Sequence, residues 1–292
     1  MQHKFLEDEK YIINMRKLYT IALAFILVPV ELKAQWTFQI KVPRPVSILT
    51  VVDSGNVKIR YVLNKLKDEP GKSDDVHVLE IGKNTSKYYS CNAFEEDSMS
   101  INLKKQPILG GSTKFTRNIT QANKYFWSEY YKDHAQNMLT EYAYMPRGIP
   151  NYQYSEKIPV QDWTLQDDTL TVHGYLCQKA TCSFRGRNYI AWFCTDIPIN
   201  NGPWKFGGLP GLILKMYDER NDYVFECINI ENHKTKFLIT SYDYRDYGKI
   251  KREKLLKLWE DIFDHYEQLI NSQLISGSGE HEKFPYNPIE LK

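Results

Sequence analysis

Alternation between apolar and polar positions marks most of this chain as strand. Thr50-Val51-Val52, Val57 to Val62 and Val76 to Gly82 alternate or run apolar. The breaks between them, Asp53-Ser54-Gly55-Asn56 and Glu69-Pro70-Gly71, have the composition of turns. Tyr88-Tyr89-Ser90 reads as another strand. Between 120 and 140 the apolar and aromatic positions (Ala122, Tyr125, Phe126, Tyr130) follow a mixed spacing that predicts a helical segment. Strands resume over 141–245. Leu170 to Ala180 alternates as one strand carrying His173, and Tyr189 to Phe193 answers it. Arg185-Gly186 between them is an X-Gly pair of the kind that closes a two-residue hairpin. A turn there sets Phe184 opposite Arg187 and, continuing outward, Cys177 opposite Cys194. Over 249–274, Leu255, Trp259, Ile262, Tyr266 and Leu269 form one stripe of an amphipathic helix. Its basic start, Lys249 to Lys254, opposes the helix dipole. The pattern therefore predicts a mainly β, α+β protein: a curved antiparallel sheet or open barrel, packed on a C-terminal amphipathic helix, with the further helix near 120–140.

One irregular segment interrupts the second group of strands. Asp196 to Gly208 holds Pro198, Asn200, Asn201, Gly202 and Pro203, yet also Ile197, Ile199, Trp204 and Phe206, with Leu209 just beyond. Irregular segments of this length are uncommon in compact domains, and these side chains would not stay in water. Either the segment folds over the open end of the sheet as a plug, or Trp204, Phe206 and Leu209 line an apolar ligand pocket. Pro210-Gly211 fits the two central positions of a type II turn, because proline fixes φ and glycine accepts φ > 0. A buried strand then begins at Leu212.

The N-terminus changes the expected compartment. Arg16-Lys17 precedes an apolar run from Leu18 to Val30, and Ala34 is a small residue suited to cleavage. The run is short for a spanning helix. It reads as a secretory signal peptide cut after Ala34, with an upstream extension over 1–14, or else as an uncleaved anchor. Residues 35–292 then form a single domain. Residues 1–34 contain five Lys/Arg and four Asp/Glu, so the formal charge falls from +2 to +1 on cleavage, which argues against a nucleic-acid partner. Five cysteines in an oxidising compartment permit one or two disulfides and leave at least one thiol. Cys177–Cys194 is the first candidate; the alternatives are two buried thiols or another partner for Cys177.

Catalytic motifs are missing. There is no Gly-x-Ser-x-Gly, no His-Glu-x-x-His and no phosphate loop. The seven histidines lack metal-ligand spacing, so neither a metal nor a cofactor is expected. Glu95-Glu96-Asp97 and Asp167-Asp168 read as solvated faces. Arg185 and Arg187 either hold an anionic group or bond nearby carbonyls.

Several stretches together resemble the GLPGLI family of Bacteroidetes exported proteins of unknown function. They are Ser86 to Ser90 with Asp97-Ser98, Gly174 to Ala180, Phe184-Arg185-Gly186-Arg187, Ala191-Trp192-Phe193, Gly202-Pro203-Trp204-Lys205-Phe206, Gly207 to Leu214 itself, and the tail Tyr286 to Leu291. Cys194 departs from that family, where a small residue such as threonine is expected. The resemblance implies an exported envelope protein, periplasmic or outer-membrane-associated, with no catalytic residues to transfer. Joined to the residue pattern, it leads to three readings. The first is a non-catalytic carrier for an apolar or lipid-like ligand, the second an accessory partner of an outer-membrane assembly, the third a hydrolase whose site only folding assembles.

Overall fold

A computed structural model describes residues 44–64, 75–104, 128–145, 149–264 and 286–292. The strands are β1 (Thr50–Asn64), β2 (Asp75–Gly82), β3 (Thr85–Ser90), β4 (Glu129–Asp133), β5 (Met138–Ala143), β6 (Tyr152–Lys157), β7 (Thr164–Val172), β8 (Tyr175–Phe184), β9 (Arg187–Cys194), β10 (Leu212–Asp218), β11 (Val224–Ser241) and β12 (Gly248–Lys249). They form one open sheet in the order β12-β6-β5-β4-β3-β2-β1-β11-β10-β9-β8-β7. Every pairing is antiparallel except β12 on β6. Among the described residues two α-helices accompany it, α1 (Cys91–Lys104) and α2 (Arg252–Asp264). No helix among the described residues is long and apolar enough to cross a membrane.

The mainly β expectation and the packing of the C-terminal helix hold. Leu255 and Ile262 of α2 bury against Ala143, Met145 and Tyr154 at the β5–β6 end, with Leu258 and Trp259 beside them. The remainder of that helix stripe, Tyr266 and Leu269, lies outside the described residues. The tail accounts for one residue of the helix's basic start: Arg252 pairs with Glu290 at 2.7 Å and donates to the Lys292 carbonyl at 3.1 Å.

Three local expectations are corrected. Residues 129–133 and 138–143 are strands, not helix; Tyr130, Lys132, Leu139 and Glu141 turn to one face in a period of two, which wins over the mixed spacing. Residues 120–127 are outside the described set. Among the described residues the nearest helix is α1, where Ser90 caps the start by accepting from the Ala93 amide at 3.1 Å. Next, Asp53 to Asn56 is no turn but an irregular stretch of the continuous strand β1, with register shifts on either side of Gly55. A Cβ on Gly55 would sit 1.9 Å from the Ile81 carbonyl oxygen, so only glycine lets β2 approach. The Asp53 carboxylate accepts amides from Ser54, Asn84 and Thr85, tying β1 to the β2–β3 turn. Finally, Leu170 to Ala180 is two strands joined at His173-Gly174. Both residues have positive φ, 48° and 82°, the pattern of a type I′ hairpin. The Arg185-Gly186 turn is as expected, with φ of 50° and 88° and Phe184 opposite Arg187.

Alternation and register give the β3–β5 region two distinct faces. The loop face carries Ser86, Tyr88, Tyr130, Lys132, Leu139 and Glu141, and lies beneath the segment 195–211. The tyrosine face carries Lys87, Glu129, Tyr131 and Tyr142, covered by α1, by Arg44–Leu49 and by Tyr242 to Tyr247.

Candidate functional site: the sealed loop face

The segment 195–211 is neither helix nor free loop. Its amides and carbonyls bond to strand β10 and to one another: Leu212 N to Ile197 O at 3.0 Å, Ile213 N to Asn201 O at 3.1 Å. Trp163 donates to the Gly207 carbonyl at 2.8 Å, and the Gly207 amide donates to Gln161 at 3.2 Å. These bonds satisfy backbone groups that an irregular buried segment would otherwise leave unpaired.

Its apolar residues are core. Trp204 is 3% exposed, Phe206 0% and Leu209 1%. Phe206 packs edge-on against Phe184 at 5.3 Å and Tyr189 at 4.7 Å, and Trp204 against Phe184 at 6.0 Å. The plug expectation therefore matches the placement. At the tip, the Phe206 amide bonds to the Pro203 carbonyl at 3.1 Å, and Trp204 takes φ of +54°. For a bulky residue that is a genuine outlier, costing about 1–3 kcal/mol.

The Pro210-Gly211 corner differs from expectation. Gly211 has no positive φ; the positive-φ glycine of this stretch is Gly208, at 86°. Gly211 is required for another reason: a Cβ there would lie 2.1 Å from the Cys194 carbonyl oxygen. The corner is a close backbone crossing, not a type II turn.

Beneath the loop lie buried charges that the sequence reading passed over. Lys205 points inward between Trp204 and Phe206. Its ammonium pairs with Glu290 and with Glu141 at 3.1 Å, and donates to the Tyr154 hydroxyl at 2.6 Å. Tyr154 in turn donates to Glu141 at 2.8 Å, and Ser128 donates to the same carboxyl at 2.8 Å. Glu290 also meets Arg252 at 2.7 Å and Arg185 at 3.7 Å. Burial pushes Glu290 upward, but Lys205, Arg185 and Arg252 outweigh it and hold it below the usual carboxylate range. Loop, hairpin tip, α2 and tail thus converge on one carboxylate.

Arg187 fastens the same tail. It bonds the Pro288 carbonyl at 2.6 and 3.1 Å and the Asn287 side chain, and pairs with Asp218 and Asp222, both at 3.0 Å. Tyr189 donates to the Ile289 carbonyl at 3.0 Å, and the Leu291 amide to the Arg185 carbonyl at 2.8 Å. Arg187 bonds a carbonyl, as one expectation had it, whereas the Arg185 side chain meets carboxylates, Glu156 at 2.7 Å and Glu290. The carboxylates around them belong to the chain itself.

A second buried lysine meets no carboxylate among the described residues. Lys132 donates to the Asn201 side-chain oxygen at 2.9 Å and to the Phe206 carbonyl at 2.6 Å. Burial alone lowers it to about 7. The Asn201 amide donates to the Ser86 hydroxyl at 3.0 Å, and Ser86 lies 3.1 Å from His134 Nε2. That Ser–His contact is roofed by Asn201, and Ser86 is buried. It works as an anchor for the loop. Lys205 and Lys132 were legible only as charges inside an apolar segment and an aromatic strand. Neither forms a motif.

The cysteine register is as expected. The Gln178–Phe193 pair places Cys177 beside Cys194 at the next rung, and all five cysteines are free thiols. Burial, then the neighbouring Cys194, pushes the Cys177 thiol up to about 12.

Residues 185–215 match the model of a family described as a protein of unknown function (Porph_ging). The match spans the Arg185 hairpin, the sealed loop and the first residues of β10. No curated protein matches the chain. Among solved structures it is similar to PNGF-II in two crystal forms. The P21 form has 14% identity and a TM-score of 0.45, with 72% of this chain and 34% of that one covered. The C2 form has 13% identity and a TM-score of 0.42, with 72% and 33% covered. This chain spans about a third of the PNGF-II chains. Likeness at that level carries nothing about activity.

Proposed function

We propose that this is an exported envelope protein of the GLPGLI type, periplasmic or outer-membrane-associated. In this reading it binds an apolar or lipid-like group and performs no catalysis. The signal-peptide pattern ahead of Gln35 and the matched segment 185–215 support the export and family parts. The observation that carries the binding part is the left-handed backbone of Trp204 at the tip of the sealed loop. Strain of that kind persists where surrounding structure enforces it, and is a pointer to a segment with a second conformation. The anchors around the tip are unequal. Lys205 is fixed by two carboxylates, whereas the other lysine contact, Lys132, rests on neutral acceptors only. Lifting the tip would relieve Trp204 and uncover an aromatic floor of Phe184 and Tyr189 for a ligand that takes the place of Trp204, Phe206 and Leu209.

The test is purification of the protein from its native envelope, with mass spectrometry of whatever accompanies it. A bound lipid or other apolar molecule, retained or enriched in Trp204→Ala because the competing indole is gone, is the expected outcome. Absence of any such molecule, with amides of 201–213 exchanging as slowly as β9 and β10, would overturn the reading. The accessory-partner reading has one observation of its own: Val160, Leu165 and Leu176, at 90%, 51% and 63% exposure, lie on or just before the β7–β8 hairpin at the edge of the sheet. A stoichiometric protein in the same purification would favour it. Export also makes a proposal about the thiols. In an oxidising compartment Cys177 and Cys194 close into a disulfide, so the secreted protein should weigh two hydrogens less than its reduced form. An unchanged mass would count against that bond.

A further inference from the structure

We propose that the tyrosine face carries a guanidinium receptor, and that the chain fills it with its own Arg44. The proposal is independent of the loop reading, since the site lies on the other face. Arg44 is buried, and the described residues ahead of β1, 44–49, belong to no strand. The segment's own backbone bonds are local, Val46 N to Arg44 O and Ile48 N to Pro45 O. Apart from the Arg44 amide, which donates to Asp97 of α1, it is held by its side chains. Val46 and Leu49 pack on the tyrosine cluster, and the Arg44 side chain supplies the polar anchor.

The pocket matches the chemistry of a planar, delocalised cation. Nε donates to Asp97 Oδ2 at 2.8 Å while the Arg44 amide takes Oδ1 at 2.9 Å, and Nη1 donates to Glu129 Oε1 at 2.6 Å. The guanidinium carbon lies 4.1 Å from the Tyr242 ring centre and 4.7 Å from that of Tyr144. Two carboxylates in the plane and aromatic faces beside it favour a guanidinium over an ammonium, which is compact, strongly hydrated and has no flat face.

The receptor is organised without its occupant. Tyr242 donates to Asp97 at 3.1 Å. Tyr244 donates to Glu129 Oε2 at 2.7 Å, and Lys87 pairs with the same oxygen at 3.3 Å. Tyr242, Tyr244 and Tyr142 are mutually packed, the last two stacked at 3.6 Å. Removing Arg44 therefore leaves two aimed carboxylates and a ring wall in place. The class of ligand that fits is an alkylguanidinium, in proteins an arginine side chain of an irregular segment followed by apolar residues.

The experiment is chemical rescue. Arg44→Ala should lower the Tm by roughly 10 °C, the effect of breaking a buried pair in a domain of this size. Millimolar ethylguanidinium should restore at least half of that loss saturably, while ethylammonium at equal ionic strength restores none, and neither should shift the unaltered protein. If the variant does not fold, the same two additives are compared during refolding, and recovery of soluble folded protein with ethylguanidinium alone is the expected result. Tyr242→Leu in the Arg44→Ala background should abolish the rescue. Equal rescue by both cations, or by neither, would overturn the receptor and leave Arg44 an ordinary buried ion pair.

Discussion

The two faces of the β3–β5 sheet bury cations by opposite means. On the tyrosine face each of the buried cations Arg44 and Lys87 has a carboxylate within reach, and Glu129 serves both. Burial pushes Glu129 upward, but Lys87, Arg44 and the Tyr244 hydroxyl hold it down at about 2. On the loop face the charges are split. Lys205 is saturated by Glu141 and Glu290, while Lys132, on the strand below, meets only a carbonyl and an amide oxygen. A buried charge without a counter-charge is costly, and the usual outcome is loss of the charge. The tyrosine face is therefore built to stay ionised, and the loop face contains one group that gives up its proton near neutral pH. That difference assigns them different work: a permanent fastening on one side, an adjustable contact beneath the loop on the other.

The largest effect should come from the saturated lysine. Lys205→Ala strands Glu141 in the core, leaves Glu290 to Arg252 and Arg185, and should cost about 3–5 kcal/mol, read by urea or thermal unfolding. Lys205→Met, which keeps the volume, should cost less than Lys205→Ala. A loss below about 1 kcal/mol for the alanine variant would show that the tail and loop are held by packing alone. Next in size is Glu129→Gln, which deprives two cations at once and should cost about 2–4 kcal/mol at neutral pH. Its signature is in acid. The folded-state pKa of Glu129 is depressed, so its contribution is present above the unfolded carboxylate value and is lost as pH falls from about 4.5 toward 2. The variant should lose less stability than the unaltered protein over that window. Parallel acid profiles for the two would break the contrast between the faces.

Gly211→Ala probes the corner rather than the charges. With the Cys194 carbonyl where the methyl would go, it should destabilise by more than about 2 kcal/mol. Gly208→Ala, in left-handed backbone where the added methyl meets only ordinary contact with Trp163, should cost about 1 kcal/mol. The reverse ranking would restore the type II turn that the sequence suggested.

What could be read in the sequence, and what could not, follows the range of the interactions. Hairpin β8–β9 was legible to the residue, because Arg185-Gly186 encodes both turn type and register locally. The aromatic segment was legible as buried, since Ile197, Trp204 and Phe206 have nowhere else to go. The Asp53–Asn56 stretch misled because glycine and aspartate serve turns and close crossings alike; only the β2 backbone against Gly55 distinguishes them. Asp97, read as part of a solvated run, is buried because Arg44, 53 residues away, meets it. Lys132, Lys205 and Glu290 were missed for the same reason. Each depends on partners from separate elements, and a single charge in an apolar stretch carries no spacing that announces them.

The smallest predicted effect separates the faces most sharply. Lys132→Met removes the amine and its two hydrogen bonds while keeping the length of the side chain. In the unaltered protein the folded-state pKa of about 7 lies below the unfolded lysine value near 10.5. Between those values the unfolded chain binds the extra proton, so stability rises as pH climbs from about 7 to about 10.5 and is lower by the full difference below 7. The methionine variant has no such titration. At pH 7 it should lie within about 1–2 kcal/mol of the unaltered protein, because lost bonds to Asn201 and Phe206 oppose the removed desolvation. Above pH 9 it should be the less stable of the two, and its profile should be flatter over the window. Urea midpoints at pH 6, 8 and 10 decide this. If the two proteins keep a constant difference across all three, Lys132 stays protonated under the loop, some acceptor is compensating its charge, and the adjustable contact assigned to the loop face does not exist.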